Sequence, residues 1–153
     1  MSSLSSLQVA LKVAEMHRDQ AGVALGTAVQ QETFARDQLQ QLQSYAHETE
    51  SRWLRTGQSG LTPGLMQHHY QFMGRLDHAT GLQHAVVEEA RRRVERQRRV
   101  VMDAEMRVST LQKLLQRKRA DAQAAEARRD QREMDEFAAN LIRRRVSDLQ
   151  GVS

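Results

Sequence analysis

Thr56-Gly57-Gln58-Ser59-Gly60-Leu61-Thr62-Pro63 interrupts an otherwise helix-forming sequence, and the fold follows from how it is read. Gly57 suits the left-handed position that ends a helix. Thr62 followed by Pro63, the only proline of the chain, reads as an N-cap with proline at the first helical position. That proline starts a helix rather than breaking one. The stretch therefore predicts a turn over 57–62 between a first helix of about 3–56 and a second of about 63–146, with a flexible tail at 147–153.

Upstream of the turn, steps of alternating four and three connect Leu7, Leu11, Ala14, Arg18, Ala21, Leu25, Ala28, Glu32, Ala35, Leu39, Leu42, Ala46, Thr49 and Trp53. Eleven of these fourteen positions are apolar, and a heptad sustained so long argues for a coiled-coil seam. Alternate members are often Ala, which lets a partner helix come close. Downstream, the seam reads Leu65, His69, Phe72, Leu76, Ala79, Gln83, Val86, Ala90, Val94, Gln97, Val101, Ala104, Val108, Leu111, Leu115, Lys118, Ala122 and Ala125. The two consecutive steps of four, Val86 to Ala90 to Val94, predict a local eleven-residue repeat that relaxes the left-handed supercoil.

Folding at the turn brings together residues whose numbers sum to about 118, so that Leu42 meets Leu76, Ala14 meets Ala104 and Leu7 meets Leu111. The expected fold is all-α: a long antiparallel two-helix coiled-coil hairpin with a C-terminal helical extension, forming a single domain over 1–153. The helices would be roughly 80 Å and 125 Å long at 1.5 Å per residue. From about Lys118 onward the second helix has no partner in its own chain. Met134, Phe137 and Leu141 follow a three-four spacing there, an apolar stripe that reads as either a docking element or a frayed tail.

Composition agrees. Arg (20), Gln (18), Ala (18) and Leu (16) make up almost half of the 153 residues, and all four favour helix. Six aromatics and a modest apolar share of 39% leave little for a sheet or a wide core. The absence of cysteine removes disulfides and thiolate metal sites. The opening Met1-Ser2-Ser3-Leu4-Ser5-Ser6-Leu7 has neither the basic nor the apolar region of a secretory signal, and no apolar run approaches a membrane span. A soluble, cytoplasmic protein is expected.

Charge is uneven. Residues 1–90 hold six basic and nine acidic side chains, whereas 91–147 hold seventeen basic and nine acidic. Such asymmetry marks either a surface for an acidic partner or a solvated helix. In the second half, acids interleave with bases, as in Arg128-Arg129-Asp130-Gln131-Arg132-Glu133, and suit i,i+4 pairs better than a phosphate-binding stripe. The Arg run at 91–93, 96, 98 and 99 points around the helix and has no aromatic platform beside it, so no nucleic-acid partner is expected.

The six histidines (His17, His47, His68, His69, His78 and His84) form no HExxH arrangement. His84 and Glu88 are only two ligands of the four a metal needs. Phosphate-binding and nucleophile-elbow motifs are missing too. A two-helix hairpin offers no catalytic pocket. Neither metal, cofactor nor enzymatic activity is expected.

One cluster lies beside the turn. Gln38, Leu42, Tyr45 and Thr49 on one helix, and Phe72, Leu76, Ala79 and Gln83 on the other, come together across the hairpin. They read either as the widest layer of the seam or as an exposed, interface-like patch. Leu39, Ala46, Met66, His69, Tyr70 and Met73 could supply a second seam in the latter case.

Leu11-Lys12 with Ala14-Glu15, Leu25-Gly26, Gln38-Leu39 through Tyr45, Tyr70-Gln71-Phe72 with Leu76 and Ala79, and the near-terminal Met134-Asp135-Glu136-Phe137-Ala138 together resemble the flagellar FliJ family over most of the chain. The resemblance implies a non-enzymatic component of flagellar type III protein export, similar to the central stalk of rotary ATPases. Its implied partners are the export ATPase FliI, the regulator FliH, the membrane gate protein FlhA and export chaperones. Its implied place is the cytoplasmic side of the inner-membrane export apparatus. The positions matching the family's gate-contacting patch are Gln38, Leu42, Tyr45, Phe72, Leu76 and Ala79, with Thr49 where an aromatic can occur and Gln83 where a histidine can. For the ATPase, the unpaired end offers Arg117, Lys118, Arg119, Arg128, Arg129, Arg132 and Phe137. The expected role is a stalk or coupling factor and chaperone-like adaptor that promotes assembly of the ATPase ring. The alternatives are a generic coiled-coil adaptor, or the stalk of a virulence type III secretion system.

Overall fold

The structure, a computed structural model, describes residues 3–58 and 60–151. Ser59 of the expected turn, and residues 1, 2, 152 and 153, lie outside the described residues. Two long helices, α1 (Ser3–Gly57) and α2 (Pro63–Gln150), pack against each other as the helical hairpin that the heptads require, with no strand among the described residues.

The start of α2 is capped as its sequence dictates. The Leu65 N–H donates to Thr62 Oγ1 at 3.3 Å, and the Met66 N–H donates to the Thr62 carbonyl at 3.1 Å. Pro63 lacks an N–H where a helix could not have satisfied one. The start of the turn differs from expectation. Gly57 is still helical, and the left-handed residue is Gly60, with φ at 93°. Helical bonding through residue 57 leaves the reversal to the second glycine, whose N–H donates to the Gly57 carbonyl at 3.4 Å. A side chain at position 60 would be strained. At the far end α2 runs to Gln150, because no glycine or proline intervenes before Gly151, whose N–H reaches the Ser147 carbonyl at 3.0 Å.

The helices contribute to two compact units, Glu15–Glu105 and Met1–Ala14 with Met106–Ser153. In the first, Ala21, Ala28 and Ala35 of α1 and Leu76, Ala90 and Val94 of α2 are buried. In the second, Ala14, Val108, Leu111 and Leu115 are buried, and Leu7, Ala10 and Leu11 pack around that cluster. Alanines at the seven-residue interval from Ala14 to Ala35 keep the two backbones close there. Two glutamines of the seam use that proximity. Gln83 Nε2 donates to the Ala35 carbonyl at 2.9 Å, and Gln97 Nε2 to the Ala21 carbonyl at 3.3 Å. In both pairs the residue numbers sum to 118. Each such bond contributes about 1 kcal/mol net. Its larger effect is on register, since a slip would leave a half-buried amide unpaired.

All fourteen expected seam positions of α1 are buried or half-buried, including Arg18 and Glu32. In α2 four expected members are not. Val86 is half exposed and the neighbouring Val87 takes its place, so Gln83, Val87, Ala90 and Val94 continue an unbroken heptad. The eleven-residue repeat is therefore absent: a seam facing a regular α1 cannot drift without losing its contacts. Leu65 is exposed because Trp53 instead stacks on His69, with ring centroids 4.0 Å apart and nearly parallel. Lys118 and Ala122 are exposed, since the described part of α1 begins at Ser3, level with Leu115.

Candidate functional site

Two regions carry the residues that the sequence singled out. The first lies in the Glu15–Glu105 unit. Leu76 is buried at 8% exposure, so it belongs to the seam. Leu42, Phe72 and Ala79 are half-buried, while Gln38 is exposed and Tyr45 is 47% exposed. The Tyr45 and Phe72 rings meet edge to face at 6.2 Å. The cluster is thus divided, with its centre in the core and Gln38 and Tyr45 presented to solvent. Thr49 and Gln83 are half-buried seam residues, and the Gln83 amide is already bonded to Ala35.

More apolar surface lies next to Gln38 than at Leu76. Phe34, Leu82 and Val86, 64%, 59% and 50% exposed, line a groove of about 680 Å³ between the helices, together with Gln38. Phe72, Ala79 and Val86 are seven apart, as are Gln38 and Tyr45, so one side of the unit presents all of them. The sequence reading missed Phe34, Leu82 and Val86 as surface. The seven-residue spacing from Phe72 through Ala79 was the available signal, but Val86 had been assigned to the seam.

Another groove of this unit is polar. Glu32, Arg36, Arg91, Glu95 and Arg98 line it, and Glu32 pairs with Arg36 at 2.6 Å. Arg91 sits between Glu88 and Glu95 at 2.8 and 3.4 Å, and Arg96 reaches Glu89 at 3.2 Å. The hydrogen bond from Arg91 holds the Glu88 carboxyl below the usual carboxylate range, and Glu88 in turn raises Arg91. Arg91, Arg92, Arg93 and Arg99 therefore have i,i+3 or i,i+4 glutamate partners, and Arg96 reaches back seven positions, rather than standing out as one stripe.

The second region is α2 beyond Leu115. Arg117, Lys118, Arg119, Arg128, Arg129 and Arg132 are all exposed, and Phe137 is 66% exposed. Among the described residues no ion pair involves a residue after Arg99. These cations are uncommitted. Arg128, Arg129 and Arg132 do not share a face with the apolar row, whereas Arg119, eighteen positions or five turns before Phe137, does. Arg129 to Met134 and Arg132 to Phe137 are each five positions, about 140° around a helix of 3.6 residues per turn. Beside the apolar row the segment presents Arg128, Arg129 and Arg132 on one side and Met134, Phe137 and Leu141 on another.

Among the described residues no three His, Asp or Glu side chains gather to hold a metal, and no helix is long and apolar enough to cross a membrane. Comparison with curated proteins and with solved structures gives no match. A family model, described as Flagellar FliJ protein, matches residues 2–147. That match spans both helices, the turn and nearly all of the unpaired segment, and so the chain belongs to the flagellar FliJ family and is a protein associated with flagellar export.

Proposed function

We propose that this protein is a stalk or coupling factor of flagellar export, binding the export ATPase through α2 beyond Leu115 and the membrane gate through the surface around Tyr45. The observation that carries the reading is the contrast in how arginines are used. Arg91, Arg92, Arg93, Arg96 and Arg99 each have a glutamate of their own helix within 4 Å. Arg117 through Arg132 have no acidic partner among the described residues, and acidic loops of an ATPase ring would supply one. A cation set that binds the assembled ring better than its free subunits shifts the equilibrium toward assembly.

At the other surface, Gln38 and Tyr45 supply the exposed contacts to FlhA, and Phe72 and Ala79 the half-buried floor. Leu76 shapes that floor from the seam. Phe34, Leu82 and Val86 extend the same surface and contribute most of its apolar area. FliH and export chaperones complete the proposed set of partners, with chaperone-like handling of export cargo as part of the role. The protein then works on the cytoplasmic side of the inner membrane, held there by its partners.

The test is turnover and oligomeric state of the cognate flagellar ATPase with and without this protein at physiological salt. Stimulation with ring formation, lost when Arg128, Arg129 and Arg132 are changed to Ala, is the expected outcome. No binding and no effect on turnover would remove the export coupling and leave an adaptor role.

A further inference from the structure

The apolar row at the end of α2 carries more information than its exposure. Met134, Phe137 and Leu141 are 68%, 66% and 49% exposed and line one shallow groove with Asp130, Glu133 and Ala138. Charge along that face is ordered. Asp130 and Glu133 stand at its N-terminal end, and Arg144 and Arg145, three and four positions past Leu141, stand at its C-terminal end. None of the four takes part in an ion pair among the described residues.

The described part of α1 cannot cover this face. Its residues meet α2 at numbers summing to 118, so Ser3, where it begins, is already level with Leu115.

A face that is acidic at one end, apolar in the middle and basic at the other is complementary to itself when turned end for end. An antiparallel alignment centred between Phe137 and Ala138 sets Phe137 against the second copy's Ala138, Met134 against its Leu141, and Asp130 against its Arg145. A large side chain then faces a small one at the centre. Each acidic end meets a basic end, and the two-fold axis repeats every contact. A parallel alignment would instead stack acid on acid and base on base, which electrostatic pairing disfavours.

We propose that this face binds a second copy of the chain, antiparallel, through residues 130–145. The contact covers only about 24 Å of helix, by the 1.5 Å rise. It falls in the small class of interfaces that form transient complexes. The inference does not rest on the export reading. If both hold, Phe137 serves either the second copy or the ATPase, and self-association withholds it from the ring.

The experiment is sedimentation equilibrium of the full chain over a concentration series from about 10 μM to 1 mM, a range suited to a weak dimer. The expected mass rises from 17.5 kDa toward twice that value. The rise should be blunted by added salt, which screens exposed charge pairs. Asp130→Arg with Glu133→Arg, and separately Arg144→Glu with Arg145→Glu, should each hold the chain monomeric, since each makes both ends alike. Mixing the two variants should restore the dimer. All four positions are exposed, so the hairpin is unaffected and circular dichroism should be unchanged. A wild-type chain that stays at 17.5 kDa throughout would overturn the proposal. So would a dimer indifferent to either double substitution, or a mixture that fails to associate.

Discussion

The Glu15–Glu105 unit and the stretch of α2 past Leu115 both carry many alanines and arginines, yet they use them in opposite ways. In the first, alanines at seven-residue spacing lie under 10% exposed and several arginines pair with glutamates one turn away. In the second, the alanines at 122, 124 and 127 are exposed and so is every arginine. The difference comes from a partner helix, not from composition. Where α1 is present, a small residue is a point of close approach. Where it has ended, the same residue is only a good helix former. The paired part holds the chain together, and the proposed function gives the unpaired part its partners.

The largest effect that can break this comparison is a charge in the seam. Val94→Asp places a carboxylate at a position 3% exposed and should cost on the order of 3 kcal/mol or more, melting the unit. Phe137→Asp should move thermal stability by less than about 0.5 kcal/mol, as surface changes do. Circular dichroism melts of the two variants side by side check this, and equal losses would mean that the end of α2 has an intramolecular partner after all.

Leu76→Ala comes next, with an expected loss of about 2 kcal/mol, the low end for a buried leucine, because the seam is only one side chain deep. Tyr45→Ala should barely change the melt while weakening binding to the gate protein. Measuring both quantities for both variants sharpens the division of the cluster near the turn. A Tyr45 variant that melts early would return that residue to the core.

Gln97→Ala should cost about 1 kcal/mol, one net hydrogen bond, and leave the Ala21 carbonyl with its helical partner alone. Gln83→Ala should do the same at Ala35. If both glutamines set register, the double variant should lose cooperativity as well as stability, visible as a broader melt.

The smallest effect concerns acid. Glu88 is held below its ordinary value of 4.5 chiefly by the hydrogen bond from Arg91. The pairing is therefore complete above that value and is lost as pH falls through the lowered one. Because both groups are at the surface, helicity between pH 7 and pH 5 should not change. A small decrease should follow below the carboxylate range, and Glu88→Gln should abolish that part of it.

Much of this was legible in the sequence, for physical reasons that can be named. The α1 seam could be read residue by residue because Ala14, Ala21, Ala28 and Ala35 recur at one fixed interval with larger residues between them. The capped start of α2 was legible because Thr-Pro has few other uses. The α2 seam was misread at Val86 because Val87 stands beside it, and only the partner decides which of two adjacent valines turns inward. Gly57 and Gly60 posed the same problem at the turn, where either could take the reversal. The candidate gate surface was least legible. Leu76 and Tyr45 belong to the same spacing pattern, and their different exposure depends on side-chain packing that a heptad does not specify.

The central claim is that α2 beyond Leu115 is an unpaired docking element while the Glu15–Glu105 unit holds the chain together. Hydrogen exchange on this chain, dilute enough to be monomeric, with and without the cognate export ATPase, tests it most directly. Amides of 119–150 should exchange fast in the free protein and slow at least tenfold on adding the ATPase, about 1.4 kcal/mol of added protection, with little change at Ala21 to Val94. Protection of 119–150 in the free protein equal to that of the paired unit, or no slowing in that segment when the ATPase binds, would contradict the account.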